Sequence, residues 1–119
     1  MNKDSNDILR LNFENFIWIV FITISVLNII ADNDEKKFIN ANNSVYKTEA
    51  NNIFELTISI IFLIYIYFAI RNYNALSNAD DSQKSLYSIK FIGSIFLVVG
   101  SICLIYFQKK QANFMGSPA

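Results

Sequence analysis

Apolar and polar residues alternate along this chain in blocks rather than residue by residue. Phe13 to Ala31, Ile53 to Ile70 and Ile89 to Phe107 are long apolar runs, and the segments between them are rich in Asn, Lys and acids. The first run covers 19 residues, or about 28 Å at ~1.5 Å per residue, which matches a hydrocarbon core of roughly 30 Å. Runs of this length exceed ordinary strands, and a lone open sheet would leave its edge groups unpaired in lipid. Helices remain. The pattern predicts an all-α integral membrane protein, with three transmembrane helices over about 12–31, 52–72 and 82–108 in a small antiparallel bundle. Residues 32–51 read as a solvated polar loop whose end, near Ser44, can extend the second helix, and residues 109–119 as a short polar tail. The first run is longer than the ~7 to 15 residues of a signal-peptide core and no A-x-A site follows it, so a retained helix is expected.

Polar residues at the run boundaries suggest how the helices begin. An N-cap oxygen followed three positions later by Glu or Gln satisfies backbone N–H groups at a helix start. Asn52 with Glu55 and Asp80 with Gln83 have that spacing. Asn12 can cap the first helix, which would put Glu14 in its first turn, at the positive end of the macrodipole. On this basis Glu14 is a helix-terminal acid at the membrane edge. Its functional alternative is a proton- or cation-binding carboxylate.

Threading the three helices antiparallel brings certain polar groups to common levels. Asn28, Glu55, Ser59 and Ser101 would form a small intramembrane cluster, read as packing glue or as an ion site, because polar groups in lipid turn inward to find partners. At the opposite edge the interfacial charges Glu14, Arg71 and Lys90 would meet. In the third helix Gly93, Ser94, Gly100 and Ser101 repeat at a spacing of seven, a small-residue stripe that another helix can approach closely, within the bundle or between copies. Trp18, Tyr65, Tyr67 and Tyr106 are expected as core or interface aromatics.

Composition narrows the chemistry. The 119 residues carry ten basic and ten acidic groups, which gives a nucleic acid nothing to bind. There is no histidine, and so no ready general base, zinc ligand or haem ligand. The single Cys103 lacks a disulfide partner within the chain. No catalytic residue, metal site or cofactor is therefore assigned. Abundant Ile, Asn, Lys and Phe fit an A+T-rich bacterial genome. Lys3, Arg10, Arg71, Lys84 and Lys90 face Lys36, Lys37, Lys47, Lys109 and Lys110 across the membrane, five against five, so the positive-inside rule sets no orientation. Three-helix diacylglycerol kinases have a similar length, but no comparable acidic cluster surrounds the second helix here. Sugar half-transporters hinge on proline, and no proline lies in these runs.

The expected function is that of a non-enzymatic accessory or interaction protein, such as a subunit, immunity or regulatory factor, working through helix packing. Its partners would be the lipid bilayer and either its own copies or another membrane protein. The alternative is a homo-oligomeric channel or transporter that uses Glu14 or Glu55.

Overall fold

Between the amino terminus and Gly93 the sequence contains neither Gly nor Pro, so little in it stops a helix once one has started. The computed structural model, which describes residues 3–111 and 117–118, is built accordingly. Helix α1 runs over Lys3–Ala41, α2 over Ser44–Ser77 and α3 over Lys84–Lys110. All three are long and apolar enough to cross a membrane, and the described residues include no strand. The all-α, three-helix expectation holds. Of the expected polar tail, residues 112–116 and Ala119 lie outside the described residues.

The helix ends differ from the expected ones, and the 32–51 loop is replaced by a helical hairpin. α1 continues through ten residues beyond Ala31, and α2 starts nine residues before Ile53, so the paired arms extend about 15 Å past the apolar runs. The turn between them is Asn42 and Asn43 alone. Asn42 adopts φ 52°, the left-handed conformation that Asn tolerates, and its N–H donates to the Phe38 carbonyl at 2.7 Å, closing α1. Asn43 then caps α2, its Oδ1 accepting from the Val45 N–H at 3.0 Å. Asn52 is thus well inside α2, and Asn12 and Glu14 are well inside α1. Nor does Asp80 cap α3: its backbone carbonyl accepts from Gln83 and Lys84, and Gln83 occupies the cap position without a side-chain bond.

Apolar anchors make the hairpin arms fold against each other. Ala31, Ala50 and Phe54 are completely buried together, and the two alanines permit close approach of the backbones. Farther out, Lys37 lies 5.3 Å over the Tyr46 ring and Lys47 lies 5.6 Å over the Phe38 ring, a reciprocal pair of cation–π contacts between the arms.

α2 is the middle of a layer. It packs on α1 and on α3, but among the described residues no Cα of α1 comes within 8 Å of one of α3. The Cα trace measures 59 × 26 × 16 Å, a slab rather than a closed cylinder. Accordingly 33% of the most apolar stretch of α2 is buried, against 11% for each outer helix. The seams follow a repeat of seven, which keeps one residue per two turns facing the partner as helices wind together. Ile17, Ile24 and Ala31 form the seam of α1; Ala50, Thr57 and Ile64 form that of α2, with Arg71 next in the series; Ser94, Ser101 and Gln108 form that of α3. Between α1 and α2 the filling is apolar, with Ile17, Ile24, Ile61 and Ile64 in one cluster.

Candidate functional site

Polar side chains are the informative ones in a chain so apolar, and the structure sorts those singled out from the sequence into four settings. Glu14 and Arg71 meet. Arg71 Nη1 donates to Glu14 Oε2 at 2.8 Å, with 19% and 23% of the respective side chains exposed. The guanidinium also lies 4.7 Å over the Phe68 ring. Because α1 begins at Lys3, Glu14 is not a first-turn acid; its partner is a cation on the neighbouring helix. Lys90 does not join them. It is exposed on α3, where its backbone carbonyl accepts from the Ser94 hydroxyl.

The expected cluster of Asn28, Glu55, Ser59 and Ser101 does not assemble. Asn28 turns instead to Thr57, whose Oγ1 donates to Asn28 Oδ1 at 2.9 Å while also reaching the Phe54 carbonyl at 3.2 Å. Thr57 was missed because a lone Thr inside an apolar run has no signal of its own. Its place seven residues from Ala50 and Ile64 is the clue that could have found it. Glu55 and Ser59 are exposed in an open groove that Asn52 and Leu56 of α2 share with Lys109 of α3, and the Ser59 hydroxyl donates to the Glu55 carbonyl at 2.7 Å. Ser101 is buried, and its hydroxyl donates within α3 to the Val98 carbonyl at 2.7 Å.

The small-residue stripe of α3 divides in two. Ser94 and Ser101 are buried in the seam with α2, whereas Gly93 and Gly100 are exposed and a Cβ built on either would meet nothing within 4 Å. Each serine directly follows a glycine, and the ~100° step between adjacent helix residues explains the split. Cys103 is exposed on α3. Trp18 and Tyr106 are also exposed, while Tyr65 and Tyr67 are half-buried around the α1–α2 core.

The fourth setting is a cleft of about 470 Å3 on one side of the layer, reaching all three helices. Its lining includes Glu14 and Trp18 from α1, Phe68, Arg71 and Asn72 from α2, and Ser94 from α3. Asn72 is buried, and its amide donates to the Ser94 hydroxyl, but its Oδ1 has no partner. Trp18 lies 6.0 Å from Phe68 and 5.7 Å from Phe21, measured between ring centroids. The cleft thus combines an ion pair, an unmet hydrogen-bond acceptor and an aromatic wall. Among the described residues no group of three or more His, Cys, Asp and Glu side chains is brought together. The chain matches no protein-family model, no curated protein and no solved structure.

Proposed function

We propose that the chain is a multi-pass protein of the bacterial cytoplasmic membrane that carries out no chemistry itself and acts as an accessory or interaction protein through helix packing. The observation that carries this reading is the open layer. With no Cα of α1 within 8 Å of one of α3 among the described residues, each outer helix turns most of its apolar surface away from the protein. Lipid covers such a surface at no cost, and a partner helix covers it better wherever small residues let backbones close in. Gly93 and Gly100 offer that opportunity on α3, and no side chain of the chain itself fills the space beside them. Expressed with a small tag, the protein is expected to stay in the membrane fraction through alkaline washing and, after mild detergent extraction, to migrate as a self-associated or partnered species. Recovery as lone monomers would overturn the interaction reading; recovery from the aqueous fraction would overturn the membrane reading.

A pore or transporter is the second reading, favoured by one observation. Glu55 and Ser59 are exposed on α2 beside Lys109, on a polar strip that the chain leaves uncovered. In a ring of copies that strip would line a path. Ion flux into proteoliposomes that is lost in Glu55→Gln would favour this reading, and absence of flux would remove it.

A further inference from the structure

The cleft on one side of the layer changes character along its length. At one end are the Glu14–Arg71 pair and the orphaned Oδ1 of Asn72, a residue only 5% exposed. That oxygen is not idle for want of a better arrangement of its own neighbours. The Asn72 amide is committed to Ser94 Oγ, and the Ser94 hydroxyl is committed to the Lys90 carbonyl at 3.1 Å. A buried acceptor without a donor is costlier than the same group in water, and Asn72 is one of the residues that line the cleft. Toward its other end the lining becomes Phe21, Tyr65 and Leu97. A second hollow of about 210 Å3 shares Tyr65 and Leu97 and continues past Ile61 to Leu104.

This polarity runs parallel to the helices. Glu14 and Arg71 stand at the rims of the apolar runs of α1 and α2, whereas Tyr65, Leu97 and Leu104 lie within those of α2 and α3. An occupant that matches this gradient offers an N–H donor to Asn72, charges of both signs to the Glu14–Arg71 pair, and an apolar tail directed toward the middle of the helices. We propose that the cleft holds the phosphoethanolamine headgroup of a bilayer lipid, its ammonium on Glu14 and Asn72 Oδ1, its phosphate on Arg71, and one acyl chain along Tyr65 and Leu97. Charge-assisted hydrogen bonds of both signs then replace the single ion pair. A choline headgroup has no N–H to give Asn72, and phosphatidylglycerol has no cation for Glu14, so selectivity follows from the headgroup alone. The assignment rests on the membrane reading above.

The chain carries its own probe, because Trp18 is its single tryptophan and lines the cleft. In proteoliposomes of phosphatidylcholine, brominated acyl chains would be introduced on phosphatidylethanolamine, phosphatidylcholine or phosphatidylglycerol, and quenching of Trp18 followed. Half-maximal quenching is expected at about a threefold lower fraction of the ethanolamine lipid than of either other lipid. Asn72→Leu and Glu14→Gln are expected to bring that ratio to about one. Equal quenching by all three lipids in the unaltered chain, as when a helix of a second copy fills the cleft, would overturn the proposal. Preferential quenching by phosphatidylglycerol, or a preference that survives in Asn72→Leu, would do the same. The lipid comparison on the unaltered chain needs no variant to fold, and flotation of the protein with the vesicles tests the membrane reading separately.

Discussion

Arg71 and Glu14, 57 positions apart in sequence, are joined by a 2.8 Å hydrogen bond that fixes where α2 sits against α1. Removing one partner strands the other charge among apolar neighbours. Arg71→Leu is therefore expected to destabilise the protein by about 2 kcal/mol. That is less than the ~3–5 kcal/mol found for fully buried pairs, because both side chains stay partly exposed. Replacing both, Glu14→Gln with Arg71→Leu, should recover most of the loss. Detergent-unfolding titrations followed by circular dichroism would measure it, and a double variant no more stable than Arg71→Leu would show that the pair acts independently of its charges.

Thr57 and Asn28 make the second link in the same seam. Thr57→Val keeps the shape and removes the hydroxyl, leaving Asn28 Oδ1 without its donor. Hydrogen bonds between membrane helices contribute ~0.6 kcal/mol on average, with a maximum near 1.7. A loss of about 1 kcal/mol is expected in the same titration, and Thr57→Ser should be close to neutral.

The two-residue turn is expected to be sensitive to backbone chemistry. At Asn42 the left-handed φ is costly for a β-branched residue, so Asn42→Val should lose about 1–2 kcal/mol while Asn42→Gly stays within a few tenths. Protease accessibility of the hairpin should rise in the first variant and remain unchanged in the second.

Gly93 and Gly100 separate folding from association. Since nothing lies within 4 Å of a Cβ at either position, Gly93→Leu and Gly100→Leu should leave the isolated chain as stable as before, or gain up to about 1 kcal/mol from better helix propensity. The same changes should weaken association measured by crosslinking in membranes at least several-fold. Unchanged crosslinking would place any contact on another face.

The membrane-length runs were legible because each is a long block of one kind, and block length alone separates a spanning helix from a strand. Helix ends were not legible, for a physical reason. Asn52 and Glu55 look like a cap because they stand where polarity changes, but a change in polarity marks where solvent starts, and a helix ends only where the backbone is turned. With no Gly or Pro nearby, that turning fell to Asn42 and Asn43. The Glu14–Arg71 meeting could be read from antiparallel threading, since both flank apolar runs. Lys90 could not be excluded from it, because sequence depth gives a level along the axis and says nothing about the angle around it. The same missing angle misplaced Glu55 and Ser59, and it hid the division of the α3 stripe into a serine seam and a glycine face.

Because, among the described residues, only α2 has Cα atoms within 8 Å of both other helices, the close backbone packing joins consecutive segments of the chain. During biosynthesis each helix can dock as soon as it leaves the ribosome against the one made just before it. No early segment has to wait for a late one to close a ring. Assembly of the monomer therefore reduces to two successive hairpin closures, and deleting α3 should still leave the α1–α2 hairpin able to form.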